Sequence, residues 1–266
     1  MPARSLRSLA RVLAGFALCL PLITACGDSG SSNGEDSGEL TVAAAANLQE
    51  AFTEIAESYE RETGREVVYS FGSTGNLAVQ IEQGAPFDVF AAADVVTVDE
   101  LASQDLLIEE TQQVYAIGRI VLAVNRESGV AVESLEDLLD SDIRQIAIAN
   151  PEHAPYGIAA QEALESAGIW DELQAKVVYG ENIRQTLQFI QTGNAEAGIV
   201  ALSIAEVPEI SYTLIDDRLH NPLEQAMAVV ADSPNESMAR EFVDFVTGPE
   251  GQEILEQYGY SLPGGQ

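Results

Sequence analysis

The chain has little positive charge and few side chains that bind metal ions. It contains 12 Lys and Arg residues against 43 Asp and Glu, a formal net charge of -31, and Lys176 is its one lysine. Because such a surface repels polyanions, nucleic-acid binding through a basic groove is excluded. His153 and His220 are the only histidines, too few for a typical zinc site, and no cofactor is expected.

Cysteine is also scarce, and both cysteines, Cys19 and Cys26, lie near the N-terminus. Three arginines precede an apolar run over residues 12–23, which is too short for a comfortable membrane span. Small residues directly before a cysteine at the end of such a run resemble the lipobox of bacterial lipoproteins. The resemblance implies cleavage after residue 25 and a lipid on Cys26. The alternative is an ordinary secretory signal that contains a cysteine.

The next segment, GDSGSSNGEDSG over residues 27–38, contains no apolar residue and is typical of a flexible tether. We therefore predict a lipoprotein signal peptide over residues 1–25 and a tether over 26–38. Cleavage would leave 9 basic and 43 acidic residues, a net charge of -34, with Cys26 as the only cysteine. No disulfide is expected, and the protein would work outside the cytoplasm, attached to a membrane face.

The rest of the chain alternates short apolar runs with amphipathic ones, which predicts an α/β fold with mostly parallel sheets. Two such units of roughly 100 residues suggest two lobes with a ligand cleft between them. The predicted strands cover residues 40–46, 67–70, 89–92, 120–124, 145–149, 177–179, 197–200 and 227–230, and the predicted helices cover 48–62, 75–83, 96–103, 157–167, 183–191, 237–246 and 250–258.

Four strand-to-helix junctions are rich in small and hydrogen-bonding residues: 43–48, 70–77, 150–157 and 179–184. Free N–H groups at helix starts, with nearby hydroxyls, favour anion binding. In isolation, Ser73 or Thr74 could equally be a simple helix N-cap.

Taken in order, these motifs resemble the substrate-binding proteins of molybdate ABC transporters. The resemblance covers residues 39–262 and implies a two-lobed type II periplasmic-binding-protein fold. It also implies one lobe from residues 39–117 plus 220–266 and a second from 118–219. The matching segments are residues 43–52, 70–74, 80–86, 88–94, 151–157, 181–184, 198–200 and 248–259.

The resemblance also implies a set of oxyanion contacts in this chain. They are Asn47, Ser73, Thr74, the backbone N–H of Tyr156 and the backbone N–H of Ile183. Some relatives place a tyrosine hydroxyl at the position of Ala201, and here the Tyr156 hydroxyl is expected to replace it. A tetrahedral dianion offers only acceptors, so a site of neutral donors fits it.

Four other polar residues near these motifs are expected to have structural roles. We expect His153 to shape its loop, Asp88 and Asp94 to form turns or caps, and Arg184 to form an ion pair. Carboxylates facing an oxyanion would repel it, which argues against a ligand role for either aspartate.

The implied function is capture of molybdate or tungstate and delivery to an ABC permease. The protein is expected to be a monomer and not an enzyme. Three alternatives stay open. The same fold could bind sulfate or another tetrahedral oxyanion, or could serve a sensory lipoprotein. A hydrolase could use Ser73 or Thr74 as nucleophile, but it needs a general base that no recognised motif supplies.

Overall fold

The computed structural model describes residues 38–264. The predicted signal peptide, the lipidation site Cys26 and the tether up to residue 37 lie outside the described residues. Within residues 38–264, no helix combines the length and the apolar character needed to cross a bilayer.

The first five-stranded sheet forms lobe 1. Its strand order is β2-β1-β3-β10-β4, with parallel pairing from β2 to β3. Because β10 runs antiparallel to both its neighbours, four strands point one way and only β10 opposes them. The strands are β1 (Glu39–Ala45), β2 (Glu66–Gly72), β3 (Val89–Ala91), β4 (Gln113–Gly118) and β10 (Leu223–Val229).

The second sheet forms lobe 2 and repeats this plan. Its order is β7-β6-β8-β5-β9, and β5 is the single reversed strand. The chain enters lobe 2 directly from β4 through Arg119 into β5. The strands are β5 (Ile120–Asn125), β6 (Ile146–Ala149), β7 (Val177–Gly180), β8 (Ala197–Ala201) and β9 (Ile210–Leu214).

Helices follow most of the parallel strands, as the amphipathic runs predict. In the first helix, Ala51, Phe52, Ile55 and Tyr59 form the buried face, and Gly64 ends the helix with a left-handed φ of 72°. The helices are α1 (Gln49–Thr63), α2 (Thr74–Glu82), α3 (Val96–Ala102), α4 (Pro155–Ser166), α5 (Trp170–Leu173), α6 (Ile183–Gln191), α7 (Glu236–Thr247) and α8 (Pro249–Gln257).

The structure confirms the predicted two-lobed α/β fold and adds elements that the periodicity did not reveal. Strands β4 and β9 and the short helix α5 were not predicted. Both strands lie at sheet edges, next to the reversed strand of their sheet, and Ile117 of β4 also forms an isolated bridge with Ser261. In each sheet, the parallel strands place their carboxyl ends on the same edge, and these edges carry the predicted junctions.

Candidate functional site

The four predicted junctions meet around one small cavity between the lobes. Each contributes the start of a helix: a short 3-10 helix (Ala46–Leu48) before α1, then α2, α4 and α6. Free N–H groups and the positive dipole ends of these helices therefore converge on it. The lining residues are Ala45, Ala46, Asn47, Gly72, Ser73, Thr74, Ala93, Ala154, Pro155, Tyr156, Asn182 and Ile183.

On the lobe 1 side, two buried hydroxyls line the cavity. The Thr74 hydroxyl oxygen accepts a hydrogen bond from the backbone N–H of Ala93 at 3.0 Å. Ser73 stands at the N-cap of α2 but makes no capping bond, and its hydroxyl lies 3.0 Å from His153 Nδ1. Neither side chain is a simple N-cap. The Thr74 hydrogen, and that of Ser73 when His153 Nδ1 is protonated, can be donated to a ligand.

On the lobe 2 side, Tyr156 and Ile183 lie in the first turns of α4 and α6. Their backbone N–H groups belong to the set that has no acceptor within the helix. Asn182 caps α6 through its side-chain oxygen, which accepts from the backbone N–H groups of Arg184 and Gln185. This cap fixes the direction of the helix start at Ile183.

The Asn47 side chain is bonded within the protein. Its Nδ2 group donates both hydrogens, to Gln225 Oε1 at 2.9 Å and to the Tyr260 hydroxyl at 2.8 Å. The backbone carbonyl oxygen of Asn47 accepts from Tyr260 and from Ser203 of lobe 2. Because both side-chain amide hydrogens are used within the protein, the group of Asn47 that could still donate to a ligand is its backbone N–H.

Several bonds join the lobes around the cavity. The Gly75 N–H donates to the His153 carbonyl oxygen at 2.9 Å, next to the Ser73–His153 contact. Asn76 Nδ2 donates to Glu181 Oε1, and Arg184 forms an ion pair with Glu50. The lobes are therefore closed on the cavity.

A model of bacterial extracellular solute-binding proteins matches residues 40–261 of this chain. The chain belongs to this family. Membership places its working location outside the cytoplasm.

Relatives of this solute-binding protein include the molybdate-binding protein ModA of Azotobacter vinelandii, which is 34% identical over 91% of this chain and 97% of the relative. A solved periplasmic molybdate-binding protein of Azotobacter vinelandii superposes with a TM-score of 0.79 at 30% identity, over 84% of this chain and 99% of that one. The sulfate-binding protein SubI of Mycobacterium tuberculosis gives a TM-score of 0.71 over 85% of this chain and 87% of that one. At 15% identity, it shares the fold alone.

No charged side chain lines the cavity of this solute-binding protein within residues 38–264. Asp94 instead accepts bonds from the backbone N–H and the hydroxyl of Thr97, and Asp88 accepts from the backbone N–H of Thr41. Asp94 closes the turn before α3, as expected, whereas Asp88 forms neither a turn nor a cap: it also accepts from the Ser233 hydroxyl and so joins two distant segments of lobe 1. Burial raises the pKa of Asp94, opposed by its bonds to Thr97.

The Ser73–His153 contact is the arrangement that a hydrolase would need, but it is incomplete. No carboxylate among the described residues bonds to the other ring nitrogen, Nε2, of His153. A triad needs that third group to orient the imidazole. The contact is therefore explained as part of the closure between lobes.

Sequence reasoning missed Gln225, Tyr260, Tyr115 and Ser203, which support the cavity without being motif residues. Gln225 had one signal: in the strand LEQAMAV it is a lone amide, and every other residue except Glu224 is apolar. Ala201, the position at which the resemblance implies a tyrosine in some relatives, is fully buried and does not line the cavity.

Proposed function

We propose that this protein captures molybdate or tungstate outside the cytoplasm and delivers it to an ABC permease. The observation that carries the proposal is a cavity walled by helix N-termini and by two buried hydroxyls, of which the Thr74 oxygen already accepts a bond from the protein. Such a hydroxyl acts as a donor, and molybdate is a dianion that only accepts. The similarity to molybdate-binding relatives supports the same assignment.

The proposed contacts are Ser73, Thr74, Tyr156 with its backbone N–H and hydroxyl, and the N–H groups of Asn47 and Ile183. The Tyr156 hydroxyl accepts from Gln225 Nε2 at 2.9 Å and donates to no acceptor among the described residues. Because burial raises its pKa, the phenol keeps its hydrogen and can donate it. Each bond to a charged ligand is worth about 1.5–3 kcal/mol.

We further propose that residues 39–117 with 220–266 close as one lobe on residues 118–219. Each lobe supplies part of the donor set, so a ligand of the right size stabilises the closed state. Sulfate offers the same hydrogen-bonding pattern, and selection against it would rest on cavity size. The likeness to the sulfate-binding protein is one of fold and does not favour sulfate here.

Titration calorimetry of the purified protein with molybdate, tungstate, sulfate and phosphate tests this assignment. We expect sub-micromolar binding of molybdate and tungstate and no measurable heat with the other two. Binding of sulfate or phosphate in preference to molybdate would contradict the proposed ligand while leaving the fold unchanged.

We also propose that Cys26 carries a lipid and that residues 26–38 tether a monomeric binding domain to the membrane. The lipobox-like LITAC sequence and the polar segment after it support this. Cys26→Ser should release the protein from the membrane fraction and remove the lipid mass from its N-terminal peptide. Cys19→Ser is the control and should stay membrane-bound. Equal membrane association of both variants would contradict the anchor.

A further inference from the structure

Gln225 is a fully buried polar residue in β10, the reversed strand of lobe 1. It stands where the pairing with β4 shifts register, between Gln225 and Ala226. A bulge at this point re-aims the side chain relative to a regular strand. A buried amide is costly unless bonded, so its partners indicate why it is there.

The Gln225 side chain bonds to both lobes. Its oxygen accepts from Asn47 Nδ2 at 2.9 Å, within lobe 1. The Tyr115 hydroxyl lies 3.2 Å from the same oxygen but has a shorter bond, at 2.8 Å, to the Ala92 carbonyl oxygen. Its Nε2 group donates to the Tyr156 hydroxyl of lobe 2 at 2.9 Å. Asn47 and Tyr156 both line the cavity, whereas Gln225 does not. Gln225 therefore links one cavity residue of each lobe.

The polarity of these bonds matters for an anion. Since Gln225 donates to Tyr156, the phenol oxygen is occupied as an acceptor and its hydrogen remains available. An acceptor in place of Nε2 would instead attract that hydrogen away from the ligand. Near this contact there is no space to rearrange, because a Cβ at Gly118 would lie 2.6 Å from Gln225 Nε2 and overlap the Tyr156 hydroxyl.

We propose that Gln225 is a positioning residue: it joins Asn47 to Tyr156 across the closed lobes and holds the Tyr156 hydroxyl as a hydrogen donor to the bound oxyanion. This inference rests on the proposed function. It means that Gln225 contributes to the affinity for the ligand although its side chain lies outside the cavity.

A double-mutant cycle tests the link. Gln225→Met and Tyr156→Phe should each weaken molybdate binding by about 10- to 100-fold, from the loss of a bond to a charged group. The double variant should bind molybdate about as tightly as the Tyr156→Phe variant, because Gln225 acts through the hydroxyl that this variant lacks. If the two substitutions weaken molybdate binding by independent factors that multiply in the double variant, the proposal is wrong. It is also wrong if the Gln225→Met variant binds molybdate like the unaltered protein.

A second variant gives a readout that a purely structural role would not change. In Gln225→Glu the introduced carboxyl is buried, which raises its pKa toward neutrality. When neutral, it can still donate to Tyr156; when ionised, it accepts the phenol hydrogen and repels the anion. Molybdate affinity of this variant should fall at least tenfold between about pH 5.5 and pH 8.5.

The unaltered protein is the control for this pH profile, because it contains the same surrounding groups. These are Tyr115, Tyr156 and Tyr260, whose pKa values burial raises, and the nearby carboxylates of Asp94 and Glu50. The His153 imidazole, which contacts Ser73 at the cavity, is also present in both proteins. Its affinity should change much less over the same range. Parallel profiles of the two proteins would overturn the proposal even if Gln225→Met did not fold.

Thr111→Val controls for deletion of a buried polar group near the same strand. Thr111 Oγ1 accepts from the Val229 N–H of β10 and does not line the cavity. It should lower the thermal midpoint but keep molybdate affinity. If the unaltered protein binds none of the four oxyanions, the proposed function and this inference both fail. If it binds molybdate and the Gln225 variants bind equally well at every pH, only this inference fails.

Discussion

At the scale of single residues, the proposed site uses a hydroxyl whose oxygen already accepts a bond from the protein. Thr74 is 1% exposed and accepts from the Ala93 N–H, so its hydrogen can point to a ligand. Thr74→Val keeps the shape and removes that donor. We expect titration calorimetry to show molybdate affinity reduced by about 10- to 100-fold.

Thr74→Ser is the control for that measurement, since it keeps the hydroxyl and loses only a methyl group. It should bind far more tightly than the valine variant. Equal affinities of the valine and serine variants would show that the hydroxyl does not contact the anion.

Asn47 shows what sequence can and cannot predict at this scale. Its place at the end of the alanine run predicted a residue of the cavity wall, and the structure places it there. The use of its amide could not be predicted, because its partners Gln225 and Tyr260 lie 178 and 213 residues further along the chain. Only the folded lobes bring these groups together. Its contact with a ligand remains a prediction.

At the scale of elements, the accuracy of the prediction followed the local signals. The predicted helix 183–191 matches α6 residue for residue, because Asn182 is a strong local cap and the apolar spacing is regular. Strand β9 was missed because only Ile210 of its five residues is buried. Its pairing with β5 is a tertiary interaction that leaves little apolar pattern.

The cap of α6 gives a prediction that separates stability from binding. Asn182→Ala removes two bonds to backbone N–H groups and should lower the free energy of unfolding by about 1 kcal/mol. It should also weaken molybdate binding, because the cap holds the helix start at which the backbone N–H of Ile183 is proposed to contact the ligand. Asp216→Ala removes a similar cap from a short helix far from the cavity. Asp216→Ala should lower stability and leave molybdate affinity unchanged. If the two variants lost affinity equally, the start of α6 would have no specific role in binding.

The junction between β4 and β5 leaves no room for a side chain. At Gly118 a Cβ would overlap the Tyr156 hydroxyl, so Gly118→Ala should cost about 1–3 kcal/mol of stability and weaken molybdate binding. Gly84→Ala is the control: Gly84 has a φ of 80° with open space around it, and should lose stability through backbone strain only. Chemical denaturation and calorimetry of both variants measure the two effects. An unchanged affinity in Gly118→Ala would contradict the importance of the Tyr156 position.

At the scale of the whole molecule, a chain of net charge -31 binds an anion without a charged residue in the cavity wall. Exposed charges farther away than about 10 Å are largely screened at ordinary salt, whereas helix N–H groups and hydroxyls act at contact distance. The acidic surface therefore opposes binding weakly. Among the contacts between the lobes, the Arg184–Glu50 ion pair is one that salt screens.

The Arg184–Glu50 ion pair joins the lobes beside the cavity, and both side chains are about one-third exposed. Opening must break this pair, so Arg184→Met should speed release of molybdate by about 2- to 5-fold, the range expected of an exposed pair. Arg240 is equally exposed but pairs with Glu236 and Glu110 within lobe 1, so Arg240→Met should release molybdate at the original rate. Stopped-flow dissociation at low and high salt measures both. Because salt screens the pair, the difference in release rate between the two variants should shrink at about 1 M salt. A difference in release rate that persists at this salt would mean that Arg184 acts by packing instead of charge.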